Sequence, residues 1–142
     1  MKYLLDTDYI SFLQKQSGSE YAALIARLAQ HLAADFGFSI VSFHEQTLGG
    51  HALLNRARTH AQLIYGYTIF LEILQSYTTT PVLPFDAAAA AVFFGLQAQK
   101  IRVATMDLRI AAIALSHGLT LLTRNVRDFG RVPGLIAEDW TV

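Results

Sequence analysis

The sequence predicts an α/β fold: a short, mainly parallel central sheet flanked by helices, in a single domain spanning residues 1–142. Two observations carry this. Short apolar runs with strand character alternate with longer stretches of helical periodicity. In addition, residues 108–115 contain one charged side chain, Arg109, so this helix is apolar almost all round and must be covered on every side. At 53% hydrophobic and 15% charged, the chain has ample material for such a core.

The elements follow in order. Lys2–Leu5 reads as a buried first strand with Asp6 at its carboxyl end, and Asp8 opens a helix running to Lys15. Ser17-Gly18-Ser19 is a turn. Ser19 then caps a helix from Glu20 to about Ala34, with Leu24, Ile25, Leu28 and Leu32 on one face. Phe36-Gly37 breaks that helix, and Phe38–Val41 is a second strand. Ser42 is expected to cap the third helix with Glu45 three residues on, a spacing that fits a capping box. Gly49-Gly50 inside this helix marks close packing or a kink. A long helix from Arg58 to Tyr77 is expected to turn Leu63, Tyr67, Phe70, Leu71 and Leu74 inward.

Val82–Phe85 is a third strand whose internal Pro84 predicts an edge position or an early end. Asp86 caps an alanine-rich helix from Ala87 to Lys100. The buried helix stops at His117-Gly118, Leu119–Thr123 forms a strand, and residues 125–128 form the loop leaving its carboxyl end. A last strand is expected at Leu135-Ile136-Ala137.

Composition excludes several classes. No apolar run reaches the roughly 18–20 residues of a membrane span, and the start turns acidic too early for a signal peptide. Cysteine is absent, so there is no disulfide and no thiolate zinc site, and the five histidines show no zinc-motif spacing. A cytoplasmic protein is the expectation. There is no P-loop, GxGxxG or GxSxG motif. Net charge is zero, but Lys100–Arg131 holds six basic residues and two acidic ones. That excess suits either a solvated rim or contacts to a phosphate backbone.

Ligand sites of parallel sheets lie beyond the carboxyl ends of the strands. Asp6 ends the first strand, Glu45 lies a turn past the second, and Asp128 lies just past Leu119–Thr123. Asp107 opens the buried helix and reaches the same edge if that helix points its N-terminus inward. Four carboxylates converging there would repel one another unless a cation were present. An all-oxygen donor set suits Mg²⁺ or Mn²⁺, which activate water and stabilise charge on a phosphoryl group. Each acid also has a plain structural reading, as a cap or turn residue, least convincing for Asp6 in its buried strand. Thr123 and Asn125 flank the strand end and either bond the acids or shape the turn.

These residues bear a resemblance. YLLDTD, SFHEQTLGG and TMDLRIAAIALSHGLTLLTRNVRDFGRVPGL, in that order, resemble the motifs of PIN-domain ribonucleases, specifically the VapC toxins of type II toxin–antitoxin pairs. The match covers almost the whole chain, and its last segment is the most specific. The resemblance implies a PIN-like fold and metal-dependent RNA cleavage, with Mg²⁺ or Mn²⁺ held by Asp6, Glu45, Asp107 and Asp128. It also implies support from Thr123 and Asn125, a homodimer, and a small antitoxin covering the site. Asp8 departs from the family, which commonly has asparagine there, and it either joins the metal shell or caps its helix. Arg102, Arg109, Arg124 and Arg127 are candidates for RNA backbone contacts, and Arg109 equally for pairing with an acid. Two other readings compete: an inactive PIN-like interaction module, and a phosphatase with Asp6 as nucleophile. The second would need a catalytic lysine, and Lys100 is the only late one.

Overall fold

The computed structural model describes all residues, 1–142. Its strands are β1 (Tyr3–Leu5), β2 (Phe36–Ser39), β3 (Val82–Leu83), β4 (Thr120–Leu122) and β5 (Ala137–Glu138). They form one sheet in the order β3-β2-β1-β4-β5, and every pairing is parallel. Parallel neighbours cannot be joined by hairpins, so helices fill the crossovers. These are α1 (Thr7–Lys15), α2 (Ser19–Leu28), α3 (Ile40–Arg56), α4 (His60–Thr79), α5 (Ala87–Ala98), α6 (Thr105–Ser116) and the short α7 (Val126–Phe129). No helix is long and apolar enough to cross a membrane.

Successive strand residues point to opposite faces, and this splits the core in two. Leu4 and Leu121 pack with α5 and α6 through Ala89, Phe93, Ile110 and Ile113. Leu5 and Leu122 pack with Tyr9, Ile10, Leu24 and Trp140 on the other face. Helix α6 buries Leu108 and all of Ile110–Ala114, as its near-chargeless sequence requires. Each large aliphatic side chain buried there contributes about 1.5–3 kcal/mol. Gly118 ends this run with φ +65°, a left-handed value that glycine adopts without strain. Strand β3 is an edge strand and stops before Pro84, as expected.

Several boundaries differ from the sequence reading. Helix α2 ends at Leu28 rather than near Ala34, because the following residues turn and stack His31 on Trp140, ring centroids 5.0 Å apart. Leu32 is left exposed as a result. Strand β2 begins at Phe36, so the whole of Phe36–Ser39 is buried, and Ser39 caps α3 by accepting from the Ser42 amide. Ser42 therefore lies inside the helix, and the predicted capping box with Glu45 does not form. Gly18, not Ser19, precedes α2 as its cap residue. Residues 126–129 are helical rather than looped, and the last strand lies at Ala137–Glu138, slightly later than expected.

The largest difference concerns α4. Leu63, Tyr67, Leu71 and Leu74 are exposed, while Gly66 and Ile73 are buried, with Phe70 half-buried. Two apolar stripes run along this helix, and periodicity cannot tell which faces α3. Backbone approach decides it. A Cβ on Gly66 would meet Leu54 Cδ2 at 2.5 Å, and one on Gly50 would meet the Phe70 ring at 3.1 Å. Close packing, not a kink, explains Gly50, whereas Gly49 faces open space.

Gly49→Ala is therefore expected to raise unfolding stability by about 0.5–1 kcal/mol through helix propensity. Gly66→Ala should lower it by about 1 kcal/mol through overpacking. Urea unfolding of both variants checks the pair, and the opposite ranking would contradict the α3–α4 seam.

Candidate active site

From β1 the chain moves outward to β2 and β3 on one side, then crosses to place β4 and β5 on the other. The order thus reverses between β1 and β4, and a crevice opens beyond their carboxyl ends. Asp6 stands at that point. Its backbone N–H donates to Leu122 O at 2.9 Å, extending the β1–β4 ladder by one residue. Its side chain caps α1: Oδ1 accepts from the Thr7 amide and Oδ2 from Thr123 Oγ1, both at 2.8 Å. Burial raises its carboxyl from the ordinary 3.8 to about 7 against these two bonds, and the charges of Asp107 and Asp8 add to the rise.

Thr7 does a second job. Its Oγ1 donates to Glu45 Oε1 at 2.7 Å and lies 2.9 Å from Ser42 Oγ, which in turn is 3.3 Å from Ser39 Oγ. One residue thus holds Asp6 through its amide and Glu45 through its hydroxyl. A row of hydroxyls from the α3 cap backs the second contact. On the β4 side, Thr123 Oγ1 also accepts from the Asn125 amide at 2.9 Å, and Asn125 Nδ2 donates to Asp128 Oδ2 at 3.0 Å. Arg131 lies 3.4 Å from the other Asp128 oxygen.

Asp107, in the first turn of α6, has no such partner. Burial, followed by the charges of Glu45, Asp128 and Asp8, raises its carboxyl to about 6, and no hydrogen bond offsets the rise. The four predicted acids are therefore electrostatically coupled at one sheet edge, with the exposed Asp8 beside them. No three acidic or histidine side chains close around a common point. Asp6, Glu45 and Asp128 spend oxygens on protein donors, and like charges keep apart. The donor set nevertheless fits a hard divalent cation: it is all oxygen, half-buried to buried, and carries charge that nothing in the protein cancels at Asp107.

No family model matches the chain. It is 44% identical over 76 residues to the tRNA(fMet)-specific endonuclease VapC of Shigella flexneri, covering 50% of this chain and 58% of that protein. It is 25% identical over 145 residues to ribonuclease VapC2 of Rickettsia felis, covering 99% and 98%. The structure of VapBC-1 from nontypeable Haemophilus influenzae superposes with a TM-score of 0.72 at 26% identity, over 100% of both chains. The chain is a homologue of the VapC proteins. Its parallel sheet flanked by helices is the PIN-like fold that the motifs predicted. In the higher-identity matches the chain spans about half the length of the VapC relative.

The arginines do not gather as the acids do. Arg124 is exposed, lies 3.9 Å from Glu20 and sits over the Phe12 ring. Arg109 pairs with no acid: its guanidinium lies over Phe93 and donates to Met106 Sδ at 3.5 Å. Arg102 and Arg127 are exposed and in no ion pair. None of the four lines the large groove beside Thr7 and Glu45, whose cations are Lys15 and Arg56. Sequence reasoning missed Thr7 and Ser39, and read Ser42 as a helix cap rather than as a hydroxyl beside Thr7. The one available signal was a hydroxyl directly after Asp6, at the first position of a helix that begins on the sheet edge.

Thr7→Val keeps the shape but removes the donor to Glu45. A double-mutant cycle of Thr7→Val with Glu45→Ala should give a coupling of about 1 kcal/mol in urea unfolding, with Thr7→Ser close to the parent. A coupling near zero would show that this hydroxyl does not hold Glu45.

Proposed function

We propose that this chain is a metal-dependent endoribonuclease that hydrolyses RNA phosphodiester bonds, and that it acts as the toxin of a toxin–antitoxin pair in the cytoplasm. The observation that carries the reading is Asp107: a half-buried carboxylate with no hydrogen-bond donor, facing three further acids. The VapC homology supports the same chemistry, because those relatives are ribonucleases. Asp6 has no lysine or arginine partner, which leaves the aspartyl-phosphatase reading without its cation.

In this reading Asp6 and Asp107 hold Mg²⁺ or Mn²⁺, and Glu45 and Asp128 complete the shell or orient the attacking water. When bound, such an ion would supply a lowered pKa for its water and positive charge against that developing on the phosphate. Thr7 and Thr123 fix the Asp6 carboxylate and Thr7 fixes Glu45, so little side-chain entropy remains to be lost when the site fills. Asn125 holds Asp128 in the same way, and Asp8 adds negative charge at the rim. Arg124 and Arg127, exposed beyond the β4 end, contact the RNA backbone. A homodimer, and a small antitoxin that covers the carboxylate edge, complete the proposal.

Asp6→Asn and Asp107→Asn should each lower RNA cleavage in Mg²⁺ or Mn²⁺ by at least about a hundredfold, with circular dichroism unchanged. An undiminished rate in either purified variant would show that the cleavage does not depend on this carboxylate cluster.

The raised carboxyls also set a pH dependence. Between pH 4 and about 7 the folded state keeps protons that the unfolded state has released, so stability of the metal-free protein falls as pH rises through that window. The loss should be on the order of 2–4 kcal/mol. Mn²⁺ should restore stability at pH 8 and have little effect at pH 5, while Asp6→Asn removes most of the slope. Denaturation in EDTA across this range, repeated with Mn²⁺, checks the sign.

A further inference from the structure

A groove of about 740 Å³ opens directly beside the carboxylate edge, at Thr7 and Glu45. Helices α1 and α3 both start at the sheet edge and run away from it, so their later residues mark distance from the acids. Lys15 lies about 12 Å along α1 from Thr7, and Arg56 about 16 Å along α3 from Glu45, at about 1.5 Å per residue. Both cations are exposed, and neither is in an ion pair. Helix α4 forms the facing wall with Tyr65, Ile69, Glu72 and Ile73. Tyr65 is 56% exposed although its ring is large and apolar.

The floor is stiff. Gln14 and Gln46 exchange side-chain amide bonds at 3.0 and 2.9 Å, and each also bonds a serine hydroxyl, Ser76 and Ser11 respectively. Their donors are spent inside the protein, so they do not read an incoming ligand.

We infer that this groove seats the unpaired RNA strand adjoining the scissile bond, with its phosphates on the Lys15 and Arg56 side and its bases toward α4. This rests on the endoribonuclease reading and adds to it a path for the substrate. Single strands are held by cations that track the backbone and by aromatic faces on which bases stack, and this groove offers both, continuous with the acids. The orientation follows from charge. Glu72 on α4 repels phosphate and accepts a hydrogen bond from a base amino group, while Tyr65 on the same wall supplies the stacking face. An A-form duplex is too wide for a cleft between packed helices, so paired RNA is excluded. Because the amide floor is internally satisfied, base selectivity from this groove is weak.

The test uses the full chain with a single-stranded RNA oligonucleotide and its duplex. Binding is read by fluorescence anisotropy in EDTA over a salt series, and cleavage is read in Mn²⁺. Lys15→Gln and Arg56→Gln should each flatten the plot of log affinity against log salt by about 0.7. Tyr65→Ala should weaken binding about tenfold. All three should raise KM with kcat held, and the duplex should compete poorly. If the three variants match the parent in slope, affinity and KM, the groove is not the RNA path. It is equally excluded as that path if they keep RNA binding but lose a co-purifying protein partner. A parent protein that cleaves no RNA sinks the enzyme reading instead, and the EDTA binding series still tests the groove on its own.

Discussion

The contact on which the site depends is that between Asp6 and Thr123, where a buried carboxylate accepts the hydroxyl of a residue 117 positions later. It joins the carboxyl ends of the two strands between which the sheet order reverses. A charge in such a place is costly to bury. The protein meets part of that cost with two hydrogen bonds to Asp6 and leaves the rest as raised proton affinity. The other acids compound the cost rather than relieve it, because none carries a basic partner inside the cluster. Arg131 touches Asp128 only from the exposed side. Packing for stability alone would not select this arrangement.

The helices around the site serve the same end. Helix α1 begins on Asp6, so the capping bond and the site geometry are one contact. Helix α3 begins on Ser39, deeply buried at the end of β2, and its first turns bring Ser42 and Glu45 to Thr7. Helix α6 is locked on all sides by the core, which fixes Asp107 without any hydrogen bond to its side chain. Rigid backbone thus replaces side-chain bonding at the one acid that is left without a donor.

Much of this was legible in the sequence. The near-chargeless stretch of α6 demands burial and Pro84 an edge or an early strand end, and the structure shows both; Asp6 ends its strand as read and also caps α1. The sheet-edge rule placed three distant acids, Asp6, Glu45 and Asp128, at one edge without any contact being known, and left Asp107 to depend on which way its helix points. What was not legible depended on approach distances. The inward stripe of α4 is chosen by two glycines that admit neighbouring side chains, and an apolar count along the helix cannot register that. Ser39 and Ser42 are three residues apart and both plausible caps, and only the depth of Phe36–Ser39 in the sheet decides between them. Lys15 and Arg56 lie at the far ends of two helices and become neighbours of one groove only once those helices pack, whereas the arginine-rich segment that stands out in the sequence is spread out.

The separation along the chain of the contacts around Asp6 has a consequence for how the protein comes into being. Thr123 reaches back to Asp6, and Tyr9 donates to Asp139 while accepting from the Trp140 amide. Contacts of such range close late in folding, because loop entropy must be overcome before they add anything. A ribosome-bound or proteolytically nicked copy lacking the β4 half therefore holds only Asp6 and Glu45 at one end of an unfinished sheet.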